Sequence, residues 1–144
     1  MQIASSAFTQ GNKIPDIYTC TGENISPPLE FKDIPKEVES LVLIVDDPDA
    51  PKGTFSHWVT FNIDPKTEIL GEDEIPEGVQ GKNDFNKLGY GGPCPPVGVH
   101  RYFFKLFALD TTLNLQEGAT KKEVEQAIEG HVIVQSTLMG VYEK

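Results

Sequence analysis

Residues 45–61 read VDDPDAPKGTFSHWVTF, and this stretch joins two apolar segments through a short, rigid connection. Three aspartates and two prolines fall within residues 46–51, directly after the apolar run 41–45. Aspartate bonds its own backbone and proline fixes φ, so both residue types are typical of tight turns. His57 and Trp58 then begin a second apolar segment. The pattern predicts two core strands that are joined by a turn rich in acid and proline.

The remaining sequence repeats this organisation of short apolar runs between turn clusters. Eleven prolines and thirteen glycines mark the turns, and no internal repeat or linker divides the 144 residues. Such punctuation predicts a β-sandwich or a partly open barrel, and the length favours a single domain over residues 1–144. The predicted strands cover residues 1–8, 40–45, 57–63, 100–109 and 131–142.

One helix is predicted close to the C-terminal end. Thr120 and Glu123 have the spacing of a capping box, in which each side chain bonds the other residue's backbone amide. Val124, Ala127 and Ile128 then share one helical face, and a glycine follows at residue 130. The next run, 131–142, fits helix or strand by periodicity, and its Val-Ile-Val start favours a closing strand.

Charge and hydropathy limit the classes of partner that we expect for this chain. The formal net charge is −10, with 22 acidic against 12 basic residues, which argues against binding nucleic acid. The N-terminal residues MQIASSAFTQG lack the pattern of a secretory signal, and no apolar run has the length that spans a bilayer. We expect a soluble cytoplasmic protein with no stable membrane insertion.

Two cysteines, Cys20 and Cys94, lie far apart in the sequence, each next to turn residues. Disulfides are rare in the cytosol, so the interpretation we favour is two reduced thiols. The alternative is one long-range disulfide, which depends on a distance that the sequence does not contain. Without a CxxC motif or a Cys/His cluster, a structural zinc site is not expected.

Strand alternation identifies two histidines with the same context. Alternation along residues 57–63 puts His57 on the inward face, and alternation along residues 100–109 does the same for His100 and Tyr102. Both histidines follow a loop rich in proline or glycine, so each would lie at the rim of the core, where a pocket can open. The apolar residues that share these faces are Val59, Phe61 and Ile63 in one strand and Phe104, Leu106 and Ala108 in the other.

An acid near these rings would give them an anion-binding character. Asp47 or Asp49, within hydrogen-bonding reach of an imidazole, would fix its tautomer and favour its charged form. The loop GYGGPCPPVG offers the backbone amides of Gly89, Gly91 and Gly92, which can approach an anion closely.

Three other interpretations use the same residues. The histidines could be strand-end residues bonded to carbonyls, and the aspartates could serve the turn alone. Asp47, His57 and His100 could form a two-histidine, one-carboxylate metal site, but no characteristic spacing supports it, and we expect no metal or cofactor. Ser56 would point away from His57, and no GxSxG motif is present, so no activated nucleophile is visible.

Several ordered motifs resemble one known family over nearly the whole chain. DPDAP at residues 47–51, with His57 shortly after it, and GPCPPVGVHRYFF at residues 92–104 are similar to the two signature regions of the phosphatidylethanolamine-binding protein family. NISPPLEF at residues 24–31 and GHVIVQSTLMGVY at residues 130–142 resemble its compact bacterial and archaeal branch. The Raf kinase inhibitor proteins belong to this family.

The resemblance implies a mainly β fold with two antiparallel sheets, Greek-key connections and one or two short helices near the C-terminus. It also implies a small anion pocket at one end and a cis Ala50–Pro51 bond, because proline is the residue for which cis costs little. The residues that carry over to the pocket are Asp47, Pro51, Phe55, His57, Gly92, His100 and Tyr102.

Three functions follow as expectations. The first is binding of a small phosphate- or carboxylate-bearing ligand by a regulator or inhibitor of a kinase or other signalling partner. The second is serine protease inhibition through a surface loop, for which residues 64–79 and 83–90 are candidates. The third, a hydrolase or lyase that uses His57 and His100 as acid and base, ranks last, and we expect no enzyme.

Departures from the family limit what transfers. The chain lacks the longer insertions and the C-terminal extension of vertebrate members, where much of their regulation resides, so lipid binding and Raf-type kinase inhibition do not carry over directly. The net negative charge also argues against tight binding to anionic membranes. A homodimer is common enough to expect.

Overall fold

The computed structural model describes all 144 residues and contains eight strands and one α-helix. All five predicted strands are present, although the first covers only Gln2–Ala4, and three further short strands are formed by segments that gave no strand signal. A single turn of 3-10 helix, Asp16–Tyr18, lies outside the sheets. In chain order the elements are β1 (Gln2–Ala4), β2 (Leu29–Lys32), β3 (Ser40–Asp47), β4 (Phe55–Ile63), β5 (Ile69–Leu70), β6 (Val79–Gln80), β7 (Val99–Leu109), α1 (Lys121–Ile128) and β8 (Val132–Glu143).

The strands form two antiparallel sheets, which confirms the predicted fold class. The large sheet has the order β6-β4-β3-β7-β8, and the small sheet has the order β1-β2-β5. β3 lies between β4 and β7, so the chain crosses to the other side of β3 over residues 64–98. The long pairing of β7 with β8 confirms that residues 131–142 form a closing strand rather than a helix.

Both faces of the large sheet are covered, and this explains the unbroken apolar run in β3. Leu41, Leu43 and Val45 face a core shared with the small sheet. Val42 and Ile44 face the opposite core, beneath α1. All eight residues of β3 are buried, as expected for a strand whose sequence does not alternate.

α1 begins at the predicted capping box. The Thr120 hydroxyl accepts from the Glu123 amide at 3.2 Å, and the Glu123 carboxylate accepts from the Thr120 amide at 3.1 Å. Val124 and Ile128 are buried against the large sheet. At eight residues α1 is the longest helix, and no helix in the structure is long and apolar enough to cross a membrane.

β4 departs from regular alternation at a point that determines the site. Val45 pairs with Trp58 and Asp46 pairs with Ser56, so His57 is an extra residue opposite β3. A bulge of this kind bends the strand and re-aims a side chain. The His57 ring consequently packs against Tyr102, on the face that carries Trp58. The prediction that His57 shares a face with Val59 and Phe61 was wrong for this reason.

A second irregularity, near the other end of β4, likewise moves the Ile63 side chain to the other face of the sheet. Two steps along β3, from Leu41 to Leu43, correspond to three steps along β4, from Ile63 to Thr60. Ile63 therefore joins the core between the sheets, whereas Phe61 lies in the core under α1. The alternation predicted for β7 is confirmed, because Tyr102, Phe104, Leu106 and Ala108 all lie in the core between the sheets.

Candidate functional site

A cavity of about 170 Å³ opens where the turn after β3, the start of β4 and the start of β7 meet. We call it the His57–His100 cavity. Six of the seven residues proposed for the pocket line it: Asp47, Pro51, Phe55, His57, His100 and Tyr102. Sequence reasoning missed the other five lining residues, which are Ala50, Phe85, Cys94, Pro95 and Pro96.

His100 and Asp47 form a buried pair in this cavity. The Nδ1 of His100 lies 2.6 Å from an Asp47 carboxylate oxygen, and both side chains are almost fully buried. Because a carboxylate accepts, Nδ1 carries the proton and Nε2 remains for a ligand. The other Asp47 oxygen accepts from the Asp49 amide at 2.7 Å. Asp47 thus bonds both the backbone of the turn and the His100 ring. The interpretation as a turn residue and the interpretation as a site residue do not exclude each other.

His57 is oriented by a backbone carbonyl and by aromatic rings. Its Nδ1 donates to the Gly91 carbonyl at 2.8 Å, which leaves Nε2 without a partner in the protein. Burial lowers the pKa of His57 below its ordinary value, although the Gly91 carbonyl and the Asp47 and Asp84 carboxylates oppose this. A neutral His57 presents a lone pair on Nε2, which is an acceptor. The rings around it are Phe55 at 5.0 Å, Tyr102 at 5.2 Å and Phe85 at 5.4 Å.

The Tyr102 hydroxyl is a buried polar group that makes no hydrogen bond of normal geometry, although the Cys94 amide and the Asp47 carboxylate lie near enough to influence its pKa. The residue is only 1% exposed, and it lines the cavity. Burial, together with the nearby Asp47 carboxylate, raises the pKa of the hydroxyl well above its ordinary value, so it remains a donor. A buried hydroxyl without a hydrogen bond destabilises the folded state, because it has lost its hydrogen bonds to water without replacing them. A ligand oxygen in the cavity would remove that cost.

Cys20 and Cys94 form a disulfide, so the expectation of two reduced thiols was wrong. Their sulfurs are 2.08 Å apart, with a Cα–Cα distance of 5.4 Å. Two loops separated by 74 residues meet here, and backbone contacts hold them in addition to the sulfurs. The Cys20 amide donates to the Pro93 carbonyl at 3.1 Å, and the Tyr90 hydroxyl donates to the Tyr18 carbonyl at 2.6 Å. The disulfide therefore anchors the Cys94–Pro96 wall of the cavity.

Gly92 does not line the cavity, and the glycine amides are not free for an anion. Gly89 donates to the Gly81 carbonyl, Gly91 to the His57 carbonyl and Gly92 to the Asn24 side chain. Gly92 is instead required for packing, since a Cβ there would lie 2.4 Å from the Tyr18 carbonyl. The loop supplies walls rather than donors.

The turn between β3 and β4 contains no cis bond, so the implied cis Ala50–Pro51 peptide was wrong. The Gly53 amide donates to the Ala50 carbonyl at 3.2 Å, which closes a β-turn with Pro51 at its second position. Proline at that position has the required φ in the trans form, whereas a cis proline belongs at the third position of a turn.

Asp49 and Arg101, each next in sequence to a residue that lines the cavity, form a charged fork. Arg101 donates to both carboxylate oxygens of Asp49, at 2.9 and 2.8 Å, and its amide also donates to Asp49 at 2.9 Å. The guanidinium lowers the pKa of Asp49 to about 2. Because its bonds are used on Asp49, Arg101 does not add a free positive charge to the cavity. The structure contains no cluster of three or more His, Cys, Asp or Glu side chains that could hold a metal ion.

Comparison with known proteins places this geometry in a family. The family model of phosphatidylethanolamine-binding proteins matches residues 4–143. A UPF0098 protein of Methanothermobacter thermautotrophicus is 52% identical, with 100% of this chain and 99% of the relative covered. A UPF0098 protein of Pyrococcus horikoshii is 54% identical over 97% of this chain and 75% of the relative.

Solved structures of members of the same family have the same fold as this chain. A phosphatidylethanolamine-binding protein homologue from Chlamydia trachomatis superposes with a TM-score of 0.96 at 46% identity, over 99% of this chain and 97% of that one. Escherichia coli YbcL, described as a new member of the mammalian family, has a TM-score of 0.92 at 31% identity, over 99% and 98% of the two chains.

Proposed function

Since the chain belongs to the phosphatidylethanolamine-binding protein family, we propose that it binds a small phosphate- or carboxylate-bearing ligand in the His57–His100 cavity. The observation that carries this proposal is the unpartnered Tyr102 hydroxyl beside two imidazoles with free Nε2 atoms. Three polar groups without partners converge in one small space. Its volume of about 170 Å³ suits an anionic group rather than a whole drug-sized molecule.

The charges in the cavity determine how an anion would enter. No lysine or arginine lines it, and Asp47 carries a negative charge. Neutral His57 can accept but cannot donate from Nε2. The Tyr102 hydroxyl can donate one hydrogen bond to an anion, but a second bond, to His57, needs a proton either on the anion or on the His57 ring. Binding is coupled to proton uptake, and affinity should be greater at lower pH.

Binding rather than bond breaking fits the lining residues. They include no serine, threonine or lysine, and their one cysteine, Cys94, is in the disulfide. Serine, threonine, cysteine and lysine are the nucleophiles that a neighbouring base most often activates, and the cavity offers none of them in a free form.

Exposed apolar residues near the cavity support the hypothesis that its ligand is carried by a partner protein. Val97 is 82% exposed and Val99 is 57% exposed, and both lie in the segment between Pro96 and His100, two residues that line the cavity. Phe85, at the cavity wall, is 40% exposed. Exposed apolar side chains around a polar recess are typical of an interaction site. We propose that the protein regulates a kinase or another signalling partner by engaging a phosphoryl group that is carried on the partner's surface.

Calorimetric titration with inorganic phosphate tests the site. We expect His57→Ala to weaken phosphate binding by about tenfold or more, because hydrogen bonds to charged groups contribute about 1.5–3 kcal/mol. His131→Ala is the matched control, since His131 is exposed and bonds Asp110 at 2.8 Å on another part of the surface. It should bind phosphate as the wild type does. Equal affinity in His57→Ala, or no phosphate binding in the wild type, would contradict the proposal.

A further inference from the structure

β8 is the only long strand that lies at the edge of a sheet. It has 12 residues and pairs with β7 on one side. The other edge strands, β1, β5 and β6, have three, two and two residues. A free strand edge presents N–H and C=O groups that can pair with another extended chain.

The second half of the β8 edge is covered by residues 10–14. The Met139 amide donates to the Gln10 side chain at 2.9 Å, and the Met139 carbonyl accepts from the Gly11 amide at 2.7 Å. Val141 bonds the backbone of the same segment through its amide, at 3.0 Å, and through its carbonyl, at 2.8 Å. The backbone groups of Met139 and Val141 therefore point away from β7.

The first half of the β8 edge has the same backbone orientation without this cover. The register with β7 is unbroken from Val134 to Glu143, and strand residues two apart direct their backbone groups to the same side. The amides and carbonyls of Gln135 and Thr137 therefore also point away from β7. No backbone group outside the paired strands bonds them, so four hydrogen-bonding groups lie free along this edge.

The side chains of this edge do not protect it. Free edges in native proteins commonly carry lysine, proline or an inward-pointing charge, which prevents pairing with another chain. Residues 132–142 contain no charged side chain and no proline. Gln135 and Thr137 are exposed, as are Val132 and Ile133. The one bulge in β8, at Ile133, comes before the free segment. This composition indicates that another strand covers the edge in solution.

The surface around the edge is neutral, although the chain is strongly acidic. Residues 1–12, which form β1 and the loop after it, also contain no charged side chain. Together with β8 they form a groove of about 370 Å³ beside the edge. The groove is lined by Gln2, Ile3, Ala4, Ser5, Phe8, Thr9, Gln10, Thr137 and Leu138.

This distribution of charge favours a second copy of the chain as the partner. With 22 acidic against 12 basic residues, two copies repel each other, and the repulsion is weakest where both surfaces are neutral. A basic partner would instead be attracted to the acidic remainder of the surface. An antiparallel edge is also self-complementary about a two-fold axis, because each residue offers the donor and the acceptor that its symmetry mate needs.

We propose that two copies of the chain pair through their β8 edges, antiparallel and about a two-fold axis at Gln135. The two Gln135 residues exchange a pair of backbone hydrogen bonds, and the two five-stranded sheets become one continuous sheet. This contact does not depend on the function proposed above, because neither Gln135 nor Thr137 lines the His57–His100 cavity.

Sedimentation equilibrium of wild type and of Gln135→Lys at a series of concentrations tests the pairing. Wild type should be a dimer. Gln135→Lys places two like charges opposite each other at the axis, so the dissociation constant of the dimer should rise by about tenfold or more. Gln116→Lys is the matched control, because it makes the same change at an exposed residue outside the helix and the strands. A monomeric wild type, or equal weakening by the two variants, would overturn the proposal.

Amide hydrogen exchange, followed by NMR, locates the contact. In the wild-type dimer the Gln135 and Thr137 amides should exchange slowly, as amides within a sheet do. In Gln135→Lys the Thr137 amide should exchange rapidly, while the Met139 amide stays protected by Gln10. A dimer in which the Gln135 and Thr137 amides exchange as free groups would use another surface, and the assignment to β8 would be wrong.

Discussion

Replacing both Cys20 and Cys94 with serine lowers the free energy of unfolding by about 2–4 kcal/mol. The disulfide spans 74 residues, so its loss frees a long loop in the unfolded chain. Denaturant unfolding of the double variant and of wild type measures the difference. Wild type unfolded under a reducing agent should match the double variant, which separates loss of the cross-link from the effect of serine.

The effect of the disulfide on the cavity should be smaller than its effect on stability. The Cys20 amide still donates to Pro93, and Tyr90 still bonds the Tyr18 carbonyl, so the wall remains near its place without the sulfurs. We expect phosphate affinity to fall less in the double variant than in His57→Ala. Unchanged stability on reduction, or a mass that shows two free thiols in the purified protein, would contradict the assigned cross-link.

Replacing Tyr102 with phenylalanine separates stability from binding. The Tyr102 hydroxyl is buried and unpartnered, so its removal should raise the free energy of unfolding by about 1–3 kcal/mol. Because the same hydroxyl is a proposed donor to the ligand, phosphate affinity should fall by about tenfold. Denaturant unfolding and calorimetry on the same variant check the two effects.

Tyr142→Phe is the matched control. Tyr142 is equally buried in the large sheet, but its hydroxyl donates to Asp16 at 3.1 Å, outside the cavity. Its removal should lower the free energy of unfolding by about 1 kcal/mol and leave phosphate affinity unchanged. If Tyr102→Phe behaves in the same way as Tyr142→Phe, the orphan hydroxyl is not a ligand donor.

Elements with regular periodicity could be predicted from the sequence. The capping box at Thr120 identified α1, and alternation along β7 placed His100 and Tyr102 on one face. These predictions depend on local chemistry, in which each residue's position follows from its neighbours. The short strands β5 and β6, with two residues each, carry too few side chains to show a pattern.

What the sequence did not contain is long-range geometry. The β4 bulge at His57 follows from the pairing of Val45 with Trp58 and of Asp46 with Ser56, and no residue of β4 indicates it in the sequence. The Cys20–Cys94 disulfide and the position of Phe85 in the cavity wall depend on loops that meet only in the folded chain. The glycine amides were predicted to face a ligand because nothing in the sequence shows which carbonyls they meet.

We expect anion binding in the His57–His100 cavity to take up a proton. Burial lowers the pKa of His57 in the free protein, and a bound anion would stabilise the charged ring and raise that pKa. The groups that face His57 are Asp47, His100 and Tyr102, with Asp84 nearby, and none of them supplies a fixed positive charge comparable to lysine or arginine. Affinity should therefore fall as pH rises.

The measurement that tests this most directly is a sulfate titration at a series of pH values between about 5 and 8, a range in which histidine changes charge. NMR would follow the His57 and His100 rings. Sulfate keeps its charge across this range, so any pH dependence belongs to the protein. We expect saturable shifts of both rings and an affinity that falls by about tenfold per pH unit at the upper end of the range. Binding that is independent of pH, or rings that do not respond to sulfate, would contradict it.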